Sequence, residues 1–203
     1  MKTVGIYLFD DVELLDFAGP YEVFTTCSRV ARRLGHATPF ETLAIGPSTA
    51  IVTARAGLTI LPTHAIGAHP PLDLFIVPGG VVDTQLRDRR VIDWIAATAA
   101  ATPLTASVCT GALLLAEAGL LDGRPATTHW EDLGQLRADY PAVLVKDEGR
   151  WIDDGDIVTS AGISAGIDMS LHLVARLRGA ELAACTAHQM DYPWQPLSGY
   201  PAG

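Results

Sequence analysis

The strongest constraint on this chain is an alternation. Short apolar runs of strand length are each followed by a stretch with the rhythm of a helix. Residues 3–9, TVGIYLF, form a continuous apolar and aromatic run of the kind shown by a strand covered on both faces. A helical segment from about 12 to 33 follows. Gly19-Pro20 inside it predicts two short pieces joined at a kink, because proline suits a first helical turn and not an interior. Residues 40–45 read as a strand, and 51–53 with 58–61 as a small hairpin about Gly57. A second apolar strand at 72–77 is closed by Pro78-Gly79-Gly80. Then come a helix over 84–101, a strand at 104–108 and a helix over 111–118 ended by Gly119. Short strands are expected at 126–128, 143–146, 151–152 and 157–159, with an acidic helix start at Glu131-Asp132. The clearest helix covers 165–178, where Ile163, Ile167, Leu171, Val174 and Leu177 fall on one buried stripe. This alternation predicts an α/β fold with a mostly parallel sheet between helical layers.

At 203 residues, with no repeat, linker or low-complexity segment, the chain reads as one domain over 1–190, with an irregular Pro- and Gly-rich tail over 191–203. Its 49% hydrophobic and 18% charged residues exclude a disordered chain. Lys and Arg total 14 against 23 Asp and Glu, a net charge of −9, and only residues 87–90 form a basic run. Nucleic-acid binding by this chain is therefore not expected. Three scattered cysteines build no disulfide framework and suit a reducing compartment. The N-terminal apolar run stops at Asp10-Asp11, too short for a secretory signal, and no apolar stretch reaches membrane-spanning length. The expectation is a cytoplasmic protein without membrane contact.

In open α/β sheets, ligands gather where strands end and helices begin. Cys109 stands at such a point: SVC ends a strand and Thr110-Gly111 opens a helix, the layout of a nucleophile elbow. Amide groups and the helix dipole there predict a thiol pKa below the free value of about 8.5. A buried hydrophobic cysteine is the alternative; Cys27 and Cys185, inside helical segments, are assigned to core packing. Gly79-Gly80 allows a tight turn that presents N–H groups to a ligand, or is simply a turn. No histidine adjoins Cys109. His129, in ATTHW, ends the next strand and can approach the same face, or pack beside Trp130. Asp16, flanked by Leu15 and Phe17, is an acid with a raised pKa or a helix cap; Asp10, Asp11 and Glu13 read as a solvated rim. The Cys185, His188 and Asp191 spacing is not read as a metal site, no dinucleotide or phosphate loop is present, and no cofactor is expected. The role of Asp168 is left open.

The segments VGIYLFDDVELLDFAGPYEVF, DLFIVPGG, SVCTGALLLAEAGLLDGRPATTHW and SAGISAGIDMSL, in this order, resemble the ThiJ/PfpI superfamily. The resemblance spans about 2–188 and is nearest to its isocyanide hydratase branch and to the amidase-like domain of AraC-type regulators. It implies a flavodoxin-like three-layer α/β sandwich, a homodimer and a small-molecule substrate. It also implies Cys109 as nucleophile, Asp16 as its acidic partner, and N–H groups around Gly79, Gly80 and Thr110 as donors to developing negative charge. The activity implied is hydration of an isocyanide to an N-substituted formamide through a thioimidate. A non-enzymatic ligand- or oxidant-sensing domain linked to transcription and a glyoxalase-like activity are the alternatives. Peptidase-like members carry His where this chain has Thr110, which speaks against proteolysis. The end at Gly203 leaves no room for a helix-turn-helix module, so direct DNA binding is not expected.

Overall fold

The computed structural model describes residues 1–196 and the backbone of 200–201. In chain order the elements are β1 (Lys2–Tyr7), α1 (Leu14–Arg33), β2 (Phe40–Gly46), β3 (Val52–Thr53), β4 (Thr59–Ile60), β5 (His64–Ala65) and β6 (Leu74–Val77). Next come α2 (Asp83–Arg87), α3 (Arg89–Ala101), β7 (Thr105–Val108), α4 (Gly111–Glu117), β8 (Pro125–Ala126), α5 (Leu133–Asp139) and β9 (Leu144–Val145). The chain closes with β10 (Trp151–Asp153), β11 (Ile157–Ser160), α6 (Ala165–Arg178), α7 (Ala180–Gln189) and β12 (Tyr200–Pro201).

Eight strands form one sheet in the order β12-β10-β11-β7-β6-β1-β2-β5. Every pairing in it is parallel except β10 with β11. Helices α1, α6 and α7 pack on one another on one side, and α2 to α5 make the other layer. The fold is therefore the three-layer α/β sandwich expected. Its central strands carry the core: Val4, Ile6, Leu74, Phe75, Ile76, Ala106 and Val108 are all fully buried. Among the described residues no helix is long and apolar enough to cross a membrane.

Several local expectations need correction. α1 runs unbroken through Pro20, which leaves the Asp16 carbonyl without its usual i+4 amide. The helix persists because its buried face, Gly19 and Pro20 included, is packed between α6 and α7; a Cβ on Gly19 would stand 3.0 Å from Ile167 Cγ1. The helix expected over 84–101 is two. Asp88 takes an extended conformation between them, and its carboxylate caps α3 by accepting the Arg90 amide. The strand expected at 126–128 is shorter and pairs with β9 outside the main sheet. Ile163 lies outside the α6 stripe, in a turn before the helix at φ 42 and 37% exposed; the buried face starts at Ala165. In the tail, Tyr200–Pro201 adds a parallel strand beside β10, while 197–199 and 202–203 lie outside the described residues. The edge strand β5 had no signal beyond two residues.

One tie between layers is a buried serine. Ser28 Oγ donates to the Phe40 carbonyl at 2.8 Å and accepts the Phe40 amide at 3.2 Å, joining α1 to the start of β2. Ser28→Ala leaves both backbone groups short of partners in a buried site. A loss of roughly 1–3 kcal/mol is expected, read as a lower urea midpoint at unchanged slope.

Candidate active site

Three strand ends meet at the carboxyl edge of the sheet. The register sets Val77 of β6 beside Ser107 of β7, and Ile6 of β1 beside Ile76 of β6. The junctions that follow, residues 8–13, 78–82 and 109–110, are therefore neighbours. They are stitched together by the Glu13 amide donating to the Gly79 carbonyl (2.9 Å) and the Val81 amide to the Asp11 carbonyl (3.0 Å). The β3–β4 hairpin joins the same cluster, as the Asp11 amide reaches the Thr53 carbonyl and the Arg55 amide the Val12 carbonyl.

At the end of β7, Cys109 adopts φ 55, a left-handed conformation that a residue with a Cβ adopts only when its surroundings enforce it. Two hydrogen bonds and the turn that follows do so. The Cys109 amide donates to the Ser160 carbonyl (3.1 Å), the Thr128 hydroxyl donates to the Cys109 carbonyl (2.7 Å), and the chain turns directly into α4. Gly111 makes the turn possible, since a Cβ there would stand 2.1 Å from the Val77 carbonyl oxygen. The elbow is closed by Thr110, whose hydroxyl accepts the Gly80 amide (2.8 Å) and donates to the Gly80 carbonyl (2.9 Å).

Asp16, in the first turn of α1, is fully buried and caps no helix. Its Oδ2 accepts the Gly79 amide at 3.2 Å, the carboxyl lies near enough to the Cys109 thiol for each to influence the other's ionisation, and Oδ1 is buried without a hydrogen-bond partner. Burial raises the Asp16 pKa from its ordinary range to about 7, against the opposing influence of the thiol and of the Gly79 hydrogen bond. Burial likewise pushes the Cys109 thiol up to about 12, and the Asp16 charge pushes in the same direction. The Thr110 amide, which donates to the sulfur, acts the other way and is outweighed. The expected lowering of the thiol pKa by helix amides is thus overturned. Cys109 is only 7% exposed and its thiol faces an acid, so the two groups titrate as a pair that passes from two protons to one near neutrality.

Gly79 and Gly80, expected to offer amides to a ligand, have those amides engaged by Asp16 and Thr110. What the glycines provide is room. A Cβ on Gly79 would stand 2.5 Å from the Thr110 amide and 2.9 Å from Asp16 Oδ2, and one on Gly80, at φ 138, would collide with backbone at Asp11 and Glu13.

Cys109 lines a cavity of about 400 Å³ together with Gly80, Thr110, His129, Glu13 and Ile163, among others. His129 thus shares the cavity, and it also packs against Trp130, itself 72% exposed, with ring centroids 5.6 Å apart. Its Nδ1 lies 3.5 Å from Asp132 Oδ2 and 3.7 Å from Glu131 Oε2. Arg55, Asp83, Asp132 and Gln135 also line the cavity and carried no sequence signal as site residues; Asp132 read only as a helix start. Glu13 belongs to the cavity wall and not to a solvated rim, and Arg55 approaches it at 3.7 Å. Cys27 is a core residue, whereas Cys185 is half-buried in a second cavity beside Arg178 and Glu181. Asp168 is buried in a network with Arg150 (2.6 Å) and Tyr192 (2.9 Å). Among the described residues no group of His, Cys, Asp and Glu is arranged to hold a metal ion.

A mostly parallel sheet between two helical layers, with a cysteine on a left-handed strand–helix elbow, places the chain among the three-layer α/β proteins. The DJ-1/PfpI family pattern matches residues 2–176, and the chain belongs to that family. It is 37% identical over 194 residues to an isonitrile hydratase of Pseudomonas putida, covering 95% of this chain and 79% of that one. It is 31% identical over 191 residues to the HTH-type transcriptional regulator GbdR of Pseudomonas aeruginosa, covering 94% of this chain but 51% of that one. A crystal structure of a ThiJ/PfpI family protein from Pseudomonas syringae superimposes with a TM-score of 0.83 at 30% identity, over 97% of this chain and 77% of that one.

The raised Asp16 pKa carries a stability consequence. Below about pH 4 the carboxyl is protonated folded or unfolded. As pH climbs from there towards 7, the unfolded chain ionises while the folded one keeps its proton, so stability is lost across that window. Asp16→Asn removes this loss. The variant should match the wild type near pH 4 and exceed it above pH 7, by up to about 4 kcal/mol, in chemical unfolding followed against pH.

Proposed function

We propose that the chain is a cysteine-dependent hydratase that converts a small isocyanide to an N-substituted formamide. The observation that carries this reading is Cys109, with Asp16 buried beside it, lining a cavity of small-molecule size. The 37% identity to an isonitrile hydratase supports it. So does the lining: Glu13, Asp83, Glu131 and Asp132 outnumber Arg55, a field that repels anionic substrates and admits a neutral one.

In the first half-reaction Asp16 carboxylate takes the thiol proton as the sulfur attacks the terminal isocyanide carbon. The same proton then passes to that carbon, giving the thioimidate S–CH=N–R. Thiol and isocyanide combine with nothing left over. Oδ2 stays anchored on the Gly79 amide throughout, which leaves Oδ1 to move the proton. Water then adds to the thioimidate carbon, the C–S bond breaks, and the formamide leaves with the proton restored to sulfur. The left-handed Cys109 and the Thr110 clamp keep the sulfur aimed while this happens. We take residues 1–190 as one catalytic unit, working as a homodimer in the cytoplasm. A second reading, a ligand-sensing domain with the same thiol, draws on the kinship with GbdR, of whose length this chain spans about half.

Formamide production from an aryl isocyanide should vanish in Cys109→Ala and fall roughly 10²–10⁴-fold in Asp16→Asn, with both variants folded. In the wild type kcat/KM should rise with pH through about 7, as Asp16 becomes able to accept the thiol proton. Binding of an isocyanide without turnover would favour the sensing reading.

A further inference from the structure

On the hydratase reading, an isocyanide meets Cys109 through its terminal carbon, and the substituent on nitrogen lies at the other end of the molecule. That substituent is therefore housed in the cavity that Cys109 lines. Most apolar side chains of the cavity wall already have partners: Val82 and Leu113 are buried in the core and Leu86 packs against it. Val81 and Ile163 differ. They line the same cavity, yet they are 43% and 37% exposed. Apolar surface left in water beside a thiol is surface that a bound apolar group can cover, with the gain that comes from removing it from water.

Ile163 is also held where an isoleucine does not settle unaided. Its φ of 42 is left-handed, and a β-branched residue takes that conformation only where its surroundings enforce it. Here Arg150 brackets the turn. Its carbonyl accepts the Ala161 amide at 2.9 Å, and its Nη2 donates to Ser164 Oγ at 3.0 Å. The guanidinium is fixed in turn, because Nε donates to Oδ2 of the buried Asp168 at 2.6 Å, and the same oxygen accepts the Tyr192 hydroxyl at 2.9 Å. Gly162 packs so tightly on His129 that a Cβ would stand 1.9 Å from its Cδ2, and the Ile163 carbonyl accepts the Gly166 amide at 3.3 Å as α6 begins. Strain kept by this many contacts, at a residue on the cavity wall, points to a task for that side chain.

We propose that Ile163, together with Val81, sets substrate specificity by supplying the apolar surface that seats the nitrogen substituent, and that the substrates are isocyanides carrying a branched alkyl, cyclic alkyl or aryl group. A methyl substituent buries little of this surface. An anionic substituent is repelled by the carboxylates of Glu13, Asp83, Glu131 and Asp132 on the same wall. The contact is remote from the reacting carbon and is made equally before and during reaction, so it acts through binding and is read in KM. The Arg150 and Asp168 network then has a purpose at the site, since it holds the turn from which Ile163 projects.

The test is steady-state formamide production from cyclohexyl isocyanide, methyl isocyanide and isocyanoacetate. The wild type should show its highest kcat/KM with cyclohexyl isocyanide. In Ile163→Gly, which accepts φ 42 without strain, the ratio of kcat/KM for cyclohexyl over methyl isocyanide should fall roughly tenfold or more, mainly through KM. Ile163→Ala should lower the ratio likewise without added backbone freedom, and it decides the matter should Ile163→Gly fail to fold. Ile163→Val should keep most of the preference, and Val81→Ala should lose part of it. A wild type that favours methyl isocyanide or isocyanoacetate, an unchanged ratio in Ile163→Ala, or a loss confined to kcat would each overturn the assignment. A wild type that makes no formamide from any of the three removes the hydratase reading and this proposal with it. A wild type that turns over all three without preference removes only the proposal.

Discussion

Two ionisable groups buried side by side cannot both carry negative charge, and this restriction organises the chemistry of the site. Burial alone disfavours the charged form of each, and the charge of either further disfavours ionisation of the other. The Gly79 amide on Asp16 and the Thr110 amide on Cys109 partly offset the cost, which is enough to let one charge exist near neutrality but not two. On the proposed reading, the Cys109 thiol, which lines the cavity beside Asp16, loses its proton only as a bond to sulfur forms.

The scaffold serves that pair. Parallel strands β1, β6 and β7 end at the same edge, so their junctions deliver Asp16, Gly79 and Cys109 to one point. The approach is close because Gly79, Gly80 and Gly111 carry no Cβ; each would meet backbone at 2.5 Å or less. Thr110 uses its hydroxyl to lock the elbow to Gly80.

Much of this was legible before any coordinates. The apolar runs of the central strands and the Cys-Thr-Gly elbow carry the sheet and the sandwich, whereas the meeting of Cys109 with Asp16 was implied only by the family resemblance, since the residues around Asp16 fit a helix cap equally well. Other features were not legible, because they depend on neighbours that no local pattern shows. Pro20 stays inside α1 because α6 and α7 enclose that helix, and Asp88 divides a helix that periodicity alone makes continuous. Arg55 and Asp132 reach the cavity from a distant hairpin and a helix start. The direction of the Cys109 shift is hidden from the sequence for the same reason. The amides of the elbow are local and visible in the sequence, whereas burial and the facing carboxylate arise from tertiary packing.

The central claim, one proton held between Cys109 and Asp16, is tested most directly by the rate of Cys109 alkylation with iodoacetamide over a pH series, in the wild type and in Asp16→Asn. In the wild type the rate should step up near pH 7, where the carboxylate becomes available to receive the thiol proton. In Asp16→Asn that step should move beyond the free-thiol value of about 8.5, since a buried thiol then has no acceptor. A step at the same pH in both proteins would contradict the account.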